Sequence, residues 1–249
     1  MIGPPKFRYW YREACRELGI KPIQNQRQLI FPKSFYENIE KLSKEKLYDF
    51  VFIGSLKVDN ATFKNRKWIL PFITKYFNEN SYLQFTDNKT KKNYRSKGVY
   101  DYTLIKPGFV PKQNIGRKLN YFDENYFKKM CNSKFCLCPA GDVHWSYRFF
   151  ESLICKTIPI VDKECETYIN LCEKEFGYKY YLTSSPEFVY REDWVEYNYN
   201  LFMKHHTLVY TDISNLQKSL ISQKSTIIKK PKRNLKNMFK PKNNGFMIH

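Results

Sequence analysis

Hydrophobic and polar positions follow two patterns along the chain, one typical of short buried strands and one of amphipathic helices. Apolar runs of four to seven residues, bounded by polar or turn-forming residues, predict strands. These runs lie within residues 48–54, 81–86, 134–139 and 157–162. The Lys- and Asn-rich stretch from 87 to 97 instead predicts an exposed loop.

Helices are predicted between the strands, because apolar residues recur there every three or four positions. The first such group is Ile69, Phe72, Ile73 and Tyr76. Residues 122–132 and 145–155 are also predicted to be helical, and Asp123 is placed to cap the first of these two segments. Strands that alternate with helices form right-handed βαβ units. The predicted fold class is therefore α/β, with a Rossmann-like parallel sheet flanked by helices.

Changes of pattern divide the chain into three predicted segments. Residues 1–46 are expected to contain two short helices, with Pro22 and Pro32 as helix breakers, and to form a helical appendage or a remnant of an acceptor domain. Residues 47–228 form the Rossmann-like domain, with further helices expected between 191 and 222. Residues 229–249 form a basic tail, since its first part carries seven basic and no acidic side chains.

Composition supports a globular body with a basic surface. The chain has 249 residues, of which 42% are hydrophobic and 18% aromatic, so general disorder is excluded for most of its length. Its 43 Lys and Arg residues exceed its 24 Asp and Glu residues and give a net charge of +19. This excess favours anionic partners: nucleic acid, anionic lipid or a phosphate-bearing small molecule. A basic nucleic-acid-binding protein is thus one alternative function.

Cysteine usage favours a reduced compartment. The seven cysteines are an odd number, and the sequence contains neither a secretory leader nor an apolar run of transmembrane length. We therefore expect a cytoplasmic protein. Cys131, Cys136, Cys138 and His144 suggest zinc, but the spacing of a zinc site is missing, and buried structural cysteines are preferred. His205 and His206 are interpreted as surface residues.

Residues 135–161 carry the most informative chemistry. A turn over residues 139–142 follows a strand and precedes a helix, which is where open α/β sheets bind ligands. The amide groups at the start of that helix favour a diphosphate, and Arg148 can add a bidentate contact. Glu151 is placed to accept hydrogen bonds from ribose hydroxyls. The alternative is that Arg148 and Glu151 form an ordinary surface ion pair at i, i+3.

The same residues resemble the nucleotide-sugar motif of exostosin-like glycosyltransferases. The run "CPAGD…WSYRFFESL…IPIV" matches that motif in residue identity and in spacing. Two weaker similarities, "YDFVFIGS" with the downstream Arg66 and "YTLIKPGFVPK", occur in the same order. The resemblance covers about residues 48–182 and implies the nucleotide-sugar-binding half of a GT-B enzyme.

By this resemblance a set of loop and helix residues contacts the donor. Ser55 and the two arginines would bind the diphosphate and Glu151 the ribose, although Ser55 can be a simple loop residue and Arg66 a solvated helix charge. The base is assigned to Asp142 or His144, unless Asp142 caps the helix and His144 packs beside Trp145. The predicted donor-binding residues are Gly54, Ser55, Arg66, Gly141, Ser146, Tyr147, Arg148 and Glu151.

The family implies an inverting, metal-independent transfer from a UDP-linked sugar to the hydroxyl of a saccharide or another acceptor, with no cofactor. The chain lacks the Asp-x-Asp pair that holds a divalent metal in other glycosyltransferases. Only 47 residues precede the match, too few for the acceptor domain of a GT-B enzyme. The N-terminal part is therefore reduced, or a partner subunit supplies the acceptor site, or the protein is a non-catalytic nucleotide-sugar-binding subunit.

Overall fold

The central element of the protein is a six-stranded parallel sheet, shown by a computed structural model. The structure describes residues 7–22, 29–56, 66–85, 99–101, 109–110, 121–141, 146–163 and 177–208. The strands in these ranges are β1 (Tyr48–Gly54), β2 (Tyr82–Phe85), β3 (Val99–Asp101), β4 (Phe109–Val110), β5 (Tyr121–Phe122), β6 (Ser133–Leu137), β7 (Ile158–Val161) and β8 (Tyr181–Leu182). Strands β4 and β5 form a separate antiparallel ribbon.

The order of the strands across the sheet is β3-β2-β1-β6-β7-β8. Counted within the sheet alone, this is the order 3-2-1-4-5-6 of dinucleotide-binding folds. Val51 at the centre of β1 pairs with Tyr82 of β2 on one side and with Cys136 of β6 on the other. The chain turns back between β1 and β6, so these two strands flank the topological switch point.

Helices cover both faces of the sheet. They are α1 (Phe7–Glu17), α2 (Lys33–Glu40), α3 (Ile69–Tyr76), α4 (Glu124–Cys131), α5 (Tyr147–Ile154) and α6 (Glu192–His206). Helix α3 packs with Phe50 and Phe52 on one face, while the residues of α5 pack with Val51 and Ile53 on the other. From Phe50 onward β1 is buried on both faces, and residues 50–54 form a continuous apolar run, as is typical of such strands. The predicted α/β class is confirmed, as are the helix spacing around Ile69 and the Asp123 cap.

The N-terminal helices share the core of the sheet's α5 side. The ring of Trp10 lies edge-on to that of Phe31, with ring centroids 4.8 Å apart, and Phe31 lies 5.1 Å from Phe202 of α6. All described residues fall within one compact unit, Met1–Asp212. The domain boundaries expected from the sequence stay a prediction, and the expected loop at 87–97 and the basic tail lie outside the described residues.

Lys46 joins the carboxyl ends of α4 and α5. Its Nζ donates hydrogen bonds to the carbonyl oxygens of Cys131 (2.8 Å) and Cys155 (3.5 Å). Burial lowers the pKa of Lys46 to about 8. A cation there interacts favourably with the negative ends of both helix dipoles. The contact fixes the end of α5 that lies farthest from the predicted donor site.

The interpretation of His206 as a surface residue is wrong. His206 is 3% exposed, and its Nδ1–H donates to the carbonyl oxygen of Leu29 at 2.8 Å. Its ring packs against Phe150 and Tyr178. The interpretation failed because the partners of the His206 ring come from distant parts of the chain, and no local pattern contains them. Among the described residues, no helix is long and apolar enough to cross a membrane.

His206 should make stability depend on pH. Burial lowers its pKa to about 4, against about 6.5 for an unfolded histidine. The neutral ring therefore contributes up to about 3 kcal/mol that is present above pH 6.5 and is lost as the pH falls towards 4. We expect His206→Gln to reduce this loss, measured as urea-unfolding free energy from pH 7 to 4.5. The control is His205→Gln, and equal slopes for the two variants would contradict the assignment.

Candidate functional site

The site begins where β1 and β6 end side by side. Strand β1 ends at Gly54 and β6 ends at Leu137, and the loops that follow, 55–56 and 138–141, leave the sheet at the same edge. Ligands of open α/β sheets bind in the crevice outside the carboxyl ends of the strands at the switch point. The segments that carry the predicted donor-binding residues therefore begin at the carboxyl edge of the sheet, where a ligand is expected.

Arg66 ties the two loops together. Its Nε donates to the carbonyl oxygen of Ala140 at 3.0 Å, and its Nη1 donates to the carbonyl oxygen of Ser55. The side chain is 7% exposed, so a solvated helix charge is not what the structure shows. A buried guanidinium that bonds two carbonyl oxygens fixes the spacing between the loops. Two of its donor groups face protein carbonyls.

Arg148 lies against the end of β1. It is the second residue of α5, and its Nη2 donates to the carbonyl oxygen of Ile53. The guanidinium also lies over the ring of Phe52, 5.4 Å from the centroid. A Cβ atom at position 54 would lie 2.8 Å from Nη2. Glycine is needed there because the guanidinium occupies the space of a side chain.

Arg148 keeps binding capacity that the described residues do not use. No described carboxylate forms a salt bridge with it, and its Nε is buried without a hydrogen-bond partner in the same part of the chain. The hydroxyl of Ser146, the N-cap of α5, is likewise buried and without a partner among the residues described. Buried polar groups are rarely left unpaired. Both groups lie at the helix start where the sequence predicts a diphosphate.

Glu151 lies one turn farther along α5 and is buried. Its Oε2 accepts a hydrogen bond from the Tyr126 hydroxyl at 2.7 Å, and the residue is 7% exposed. Burial raises the pKa of this carboxyl group, while the Tyr126 hydrogen bond and the charge of Arg148 oppose the rise. The structure therefore does not show the solvated surface ion pair that was the alternative for Arg148 and Glu151.

The remaining predicted residues occupy different places. The ring of Tyr147 stacks on Trp10 at 5.2 Å, on the side of the N-terminal helices. Burial raises the pKa of Tyr147 to about 12. Gly141 is half-buried at the end of the loop that follows β6. Asp142 and His144, the predicted bases, lie outside the described residues.

The cysteines of the suggested zinc site are buried free thiols. Cys131, Cys136 and Cys138 belong to α4, β6 and the loop after β6, and each is buried, as predicted. Within the described ranges, no group of three or more His, Cys, Asp or Glu side chains is placed to hold a metal ion.

A cleft opens at the same edge of the sheet, on the side of α3. Its volume is about 710 Å³, which is within the usual range of small-molecule sites, about 300–1,000 Å³. It is lined by Lys67, Trp68, Pro71, Asp162 and Lys163. The cleft lies between the residues that follow β7 and the start of α3, and the sequence contained no signal that would join these two segments.

Sequence reasoning also missed Tyr126. It occupies the first turn of α4, and its contact with Glu151 of α5 joins two residues that are 25 positions apart. The Asp123 cap was visible in the sequence and fixes this turn through the Tyr126 amide. That cap could have located the tyrosine near the start of α4, but nothing local indicated its partner.

The chain was compared with protein families and with curated proteins. The Exostosin GT47 domain family model matches residues 16–195, more than two thirds of the chain. The match includes β1, β6 and α5, and it also includes part of the N-terminal segment. No curated protein matches the chain.

Glu151 should make the protein less stable as its carboxyl group ionises. A carboxyl whose pKa is raised by folding contributes most below its unfolded pKa, about 4.3, and that contribution is lost as the pH rises through the folded pKa. We therefore expect Glu151→Gln to gain stability relative to the unmodified protein between pH 4 and 7, measured by urea unfolding. Glu124→Gln, at an exposed position of α4, controls for the lost charge. A constant difference between Glu151→Gln and the unmodified protein would contradict the burial argument.

Proposed function

The chain belongs to the Exostosin GT47 family of glycosyltransferases, and we propose that it transfers a sugar from a UDP-linked donor to an acceptor hydroxyl. The acceptor is a saccharide or another hydroxyl compound. The single observation that carries the proposal is the position of Arg148, whose guanidinium fills the space beside Gly54 at the switch point of the sheet.

The chemistry of the leaving group explains why that position matters. When an acceptor oxygen attacks the anomeric carbon, the bond from that carbon to the diphosphate breaks and its electron pair leaves with the diphosphate. Negative charge therefore grows on the phosphate oxygens in the transition state. A fixed guanidinium that faces those oxygens stabilises the transition state more than the ground state.

Arg148 is suited to this task and Arg66 to a supporting one. Among the residues described, the buried Nε of Arg148 has no hydrogen-bond partner, and its guanidinium has no carboxylate partner. An incoming diphosphate would provide a hydrogen-bond acceptor for the Nε and a negative charge for the guanidinium. Arg66 already bonds two loop carbonyls and would hold the loops that frame the phosphates. The amides at the start of α5 would add further donors. In this scheme the two arginines provide the positive charge without a divalent metal.

For the remaining residues we propose the roles that the sequence predicts. Glu151 would accept a hydrogen bond from the ribose, with Oε2 already taken by Tyr126. The base that removes the acceptor proton would be Asp142 or His144, which lie between β6 and α5 in the sequence. Attack from the face opposite the diphosphate would invert the anomeric carbon. A partner subunit that contributes the acceptor site remains part of the proposal.

Arg148→Ala should weaken UDP binding while the fold is retained. Loss of charge-assisted hydrogen bonds to phosphate should cost about 2 kcal/mol, or about thirtyfold in affinity. The measurement is calorimetric titration with UDP in the absence of Mg²⁺. The matched control is Arg191→Ala, which removes an exposed arginine that pairs with Asp193. Unchanged UDP affinity in Arg148→Ala would refute the donor site.

The same samples separate an enzyme from a binding subunit. Release of UDP from UDP-sugars in the presence of acceptor saccharides is expected for the unmodified protein and is expected to fall in Arg148→Ala. UDP binding without release under any donor and acceptor would indicate a non-catalytic nucleotide-sugar-binding subunit. Salt-sensitive stabilisation by single-stranded oligonucleotides, without UDP binding, would instead indicate the nucleic-acid alternative.

Gly54→Ala should act through Arg148. The new Cβ would lie 2.8 Å from Nη2, which is the far end of a flexible side chain, so the guanidinium moves and the fold is kept. We expect a small change in Tm and about tenfold weaker UDP binding. The double variant Gly54→Ala/Arg148→Ala should bind no more weakly than Arg148→Ala alone, because contacting residues are not additive. Additive losses would mean that Gly54 acts independently of the guanidinium.

A further inference from the structure

The hydroxyl of Tyr126 connects the two side chains that the proposed function places on the donor. It donates to Glu151 Oε2 at 2.7 Å, and it also interacts with the guanidinium of Arg148. Within the described part of the chain it is the one hydrogen-bond donor to the Glu151 carboxylate. The predicted phosphate ligand and the predicted ribose ligand thus share one phenol.

The position of this phenol is fixed by the fold. The amide of Tyr126 donates to the side chain of Asp123, which caps α4, at 3.0 Å. Its ring lies edge-on to that of Phe127, 5.0 Å between centroids, and the residue is 7% exposed. Ring packing and the cap together leave the hydroxyl little freedom to move away from α5.

A carboxylate and a guanidinium one helical turn apart attract each other strongly in a buried site. In the structure the Tyr126 hydroxyl satisfies one oxygen of Glu151, which leaves Oε1 for another donor. Without the hydroxyl, Glu151 would lose its hydrogen bond and would be drawn towards Arg148. A carboxylate drawn towards Arg148 would be turned away from a ribose hydroxyl, whereas the guanidinium, held by the carbonyl oxygen of Ile53, would stay in place for phosphate.

We propose that Tyr126 is a positioning residue that holds Glu151 in place for a ribose hydroxyl and so selects ribonucleoside over 2′-deoxyribonucleoside diphosphates. This inference rests on the proposed donor site and adds to it the determinant of sugar selectivity. Tyr126 acts through Glu151 and does not itself touch the nucleotide.

The test compares UDP and 2′-deoxyuridine 5′-diphosphate on the full chain by calorimetry. The unmodified protein should bind UDP more tightly. Tyr126→Phe should lose about three- to tenfold in UDP affinity, which is the loss of one hydrogen bond, and should keep its affinity for the deoxy compound. The matched control is Tyr82→Phe, which also removes a buried hydroxyl that donates to a side chain, Gln84. It should leave the ratio of the two affinities unchanged.

A double-mutant cycle with Glu151→Gln gives a second, independent measurement. If Tyr126 acts through Glu151, then Tyr126→Phe should change selectivity no further once residue 151 is glutamine. Unaltered selectivity in a folded Tyr126→Phe, equal losses for both nucleotides, or additive effects in the cycle would each overturn the inference. If Tyr126→Phe does not fold, p-aminophenylalanine at position 126, whose aryl amine donates from the position of the hydroxyl, should keep the selectivity, and loss of selectivity in that folded variant overturns the inference as well.

The outcomes also separate this inference from the proposed function. If the unmodified protein binds neither nucleotide, the donor site itself is wrong. If it binds both equally, the ribose role of Glu151 is wrong, and the role of Tyr126 is overturned with it. If it prefers UDP and Tyr126→Phe preserves that preference, only the role of Tyr126 is refuted.

Discussion

The guanidinium of Arg148 lies against the backbone of β1 at Gly54, in space that a side chain at position 54 would otherwise fill. This close approach requires that β1 and β6 be adjacent, that α5 start near the carboxyl ends of both strands, and that residue 54 be glycine. Arg66 maintains the arrangement from the other side, because it bonds both of the loops that leave the two strands. The parallel sheet therefore serves to bring a permanent positive charge to the edge where α/β folds bind ligands.

The buried charged groups of the candidate site do not favour stability. A buried arginine without a carboxylate partner among the described residues, and a buried glutamate whose pKa burial raises, both cost folding free energy. The hydrogen bond from Tyr126 and the charge of Arg148 reduce the cost of ionising Glu151 but do not remove it. A bound nucleoside diphosphate would complete the missing pairs, since its phosphates are anionic and its ribose donates hydrogen bonds.

Much of the fold was predictable because its signals are local. The strands β1, β6 and β7 each contain a run of buried apolar residues, and α3 and α5 repeat apolar residues at helical spacing. Strands β3 and β8 have three and two residues, too few for any periodicity to be recognised. The buried state of His206 depends on Leu29, 177 positions away, and no local pattern contains that contact.

The candidate site also has features that the local sequence predicts and features that depend on distant contacts. The motif around Arg148 identified the residues, but the reason for Gly54 is a contact with a side chain on another element, and Arg148 reaches across 95 positions to the carbonyl of Ile53. Tyr126 carried no signal because its partner belongs to a different helix. Sequence therefore indicated which residues are candidates for binding the donor, and the packing of α4 and α5 on the sheet showed how they are held.

The most direct test of the central claim is a crystal structure of the protein with UDP. The account predicts that the diphosphate lies at the ends of β1 and β6, beside Gly54, with its oxygens in hydrogen-bonding contact with the Arg148 guanidinium. A nucleotide bound elsewhere on the molecule, with Arg148 making no contact to phosphate, would contradict it.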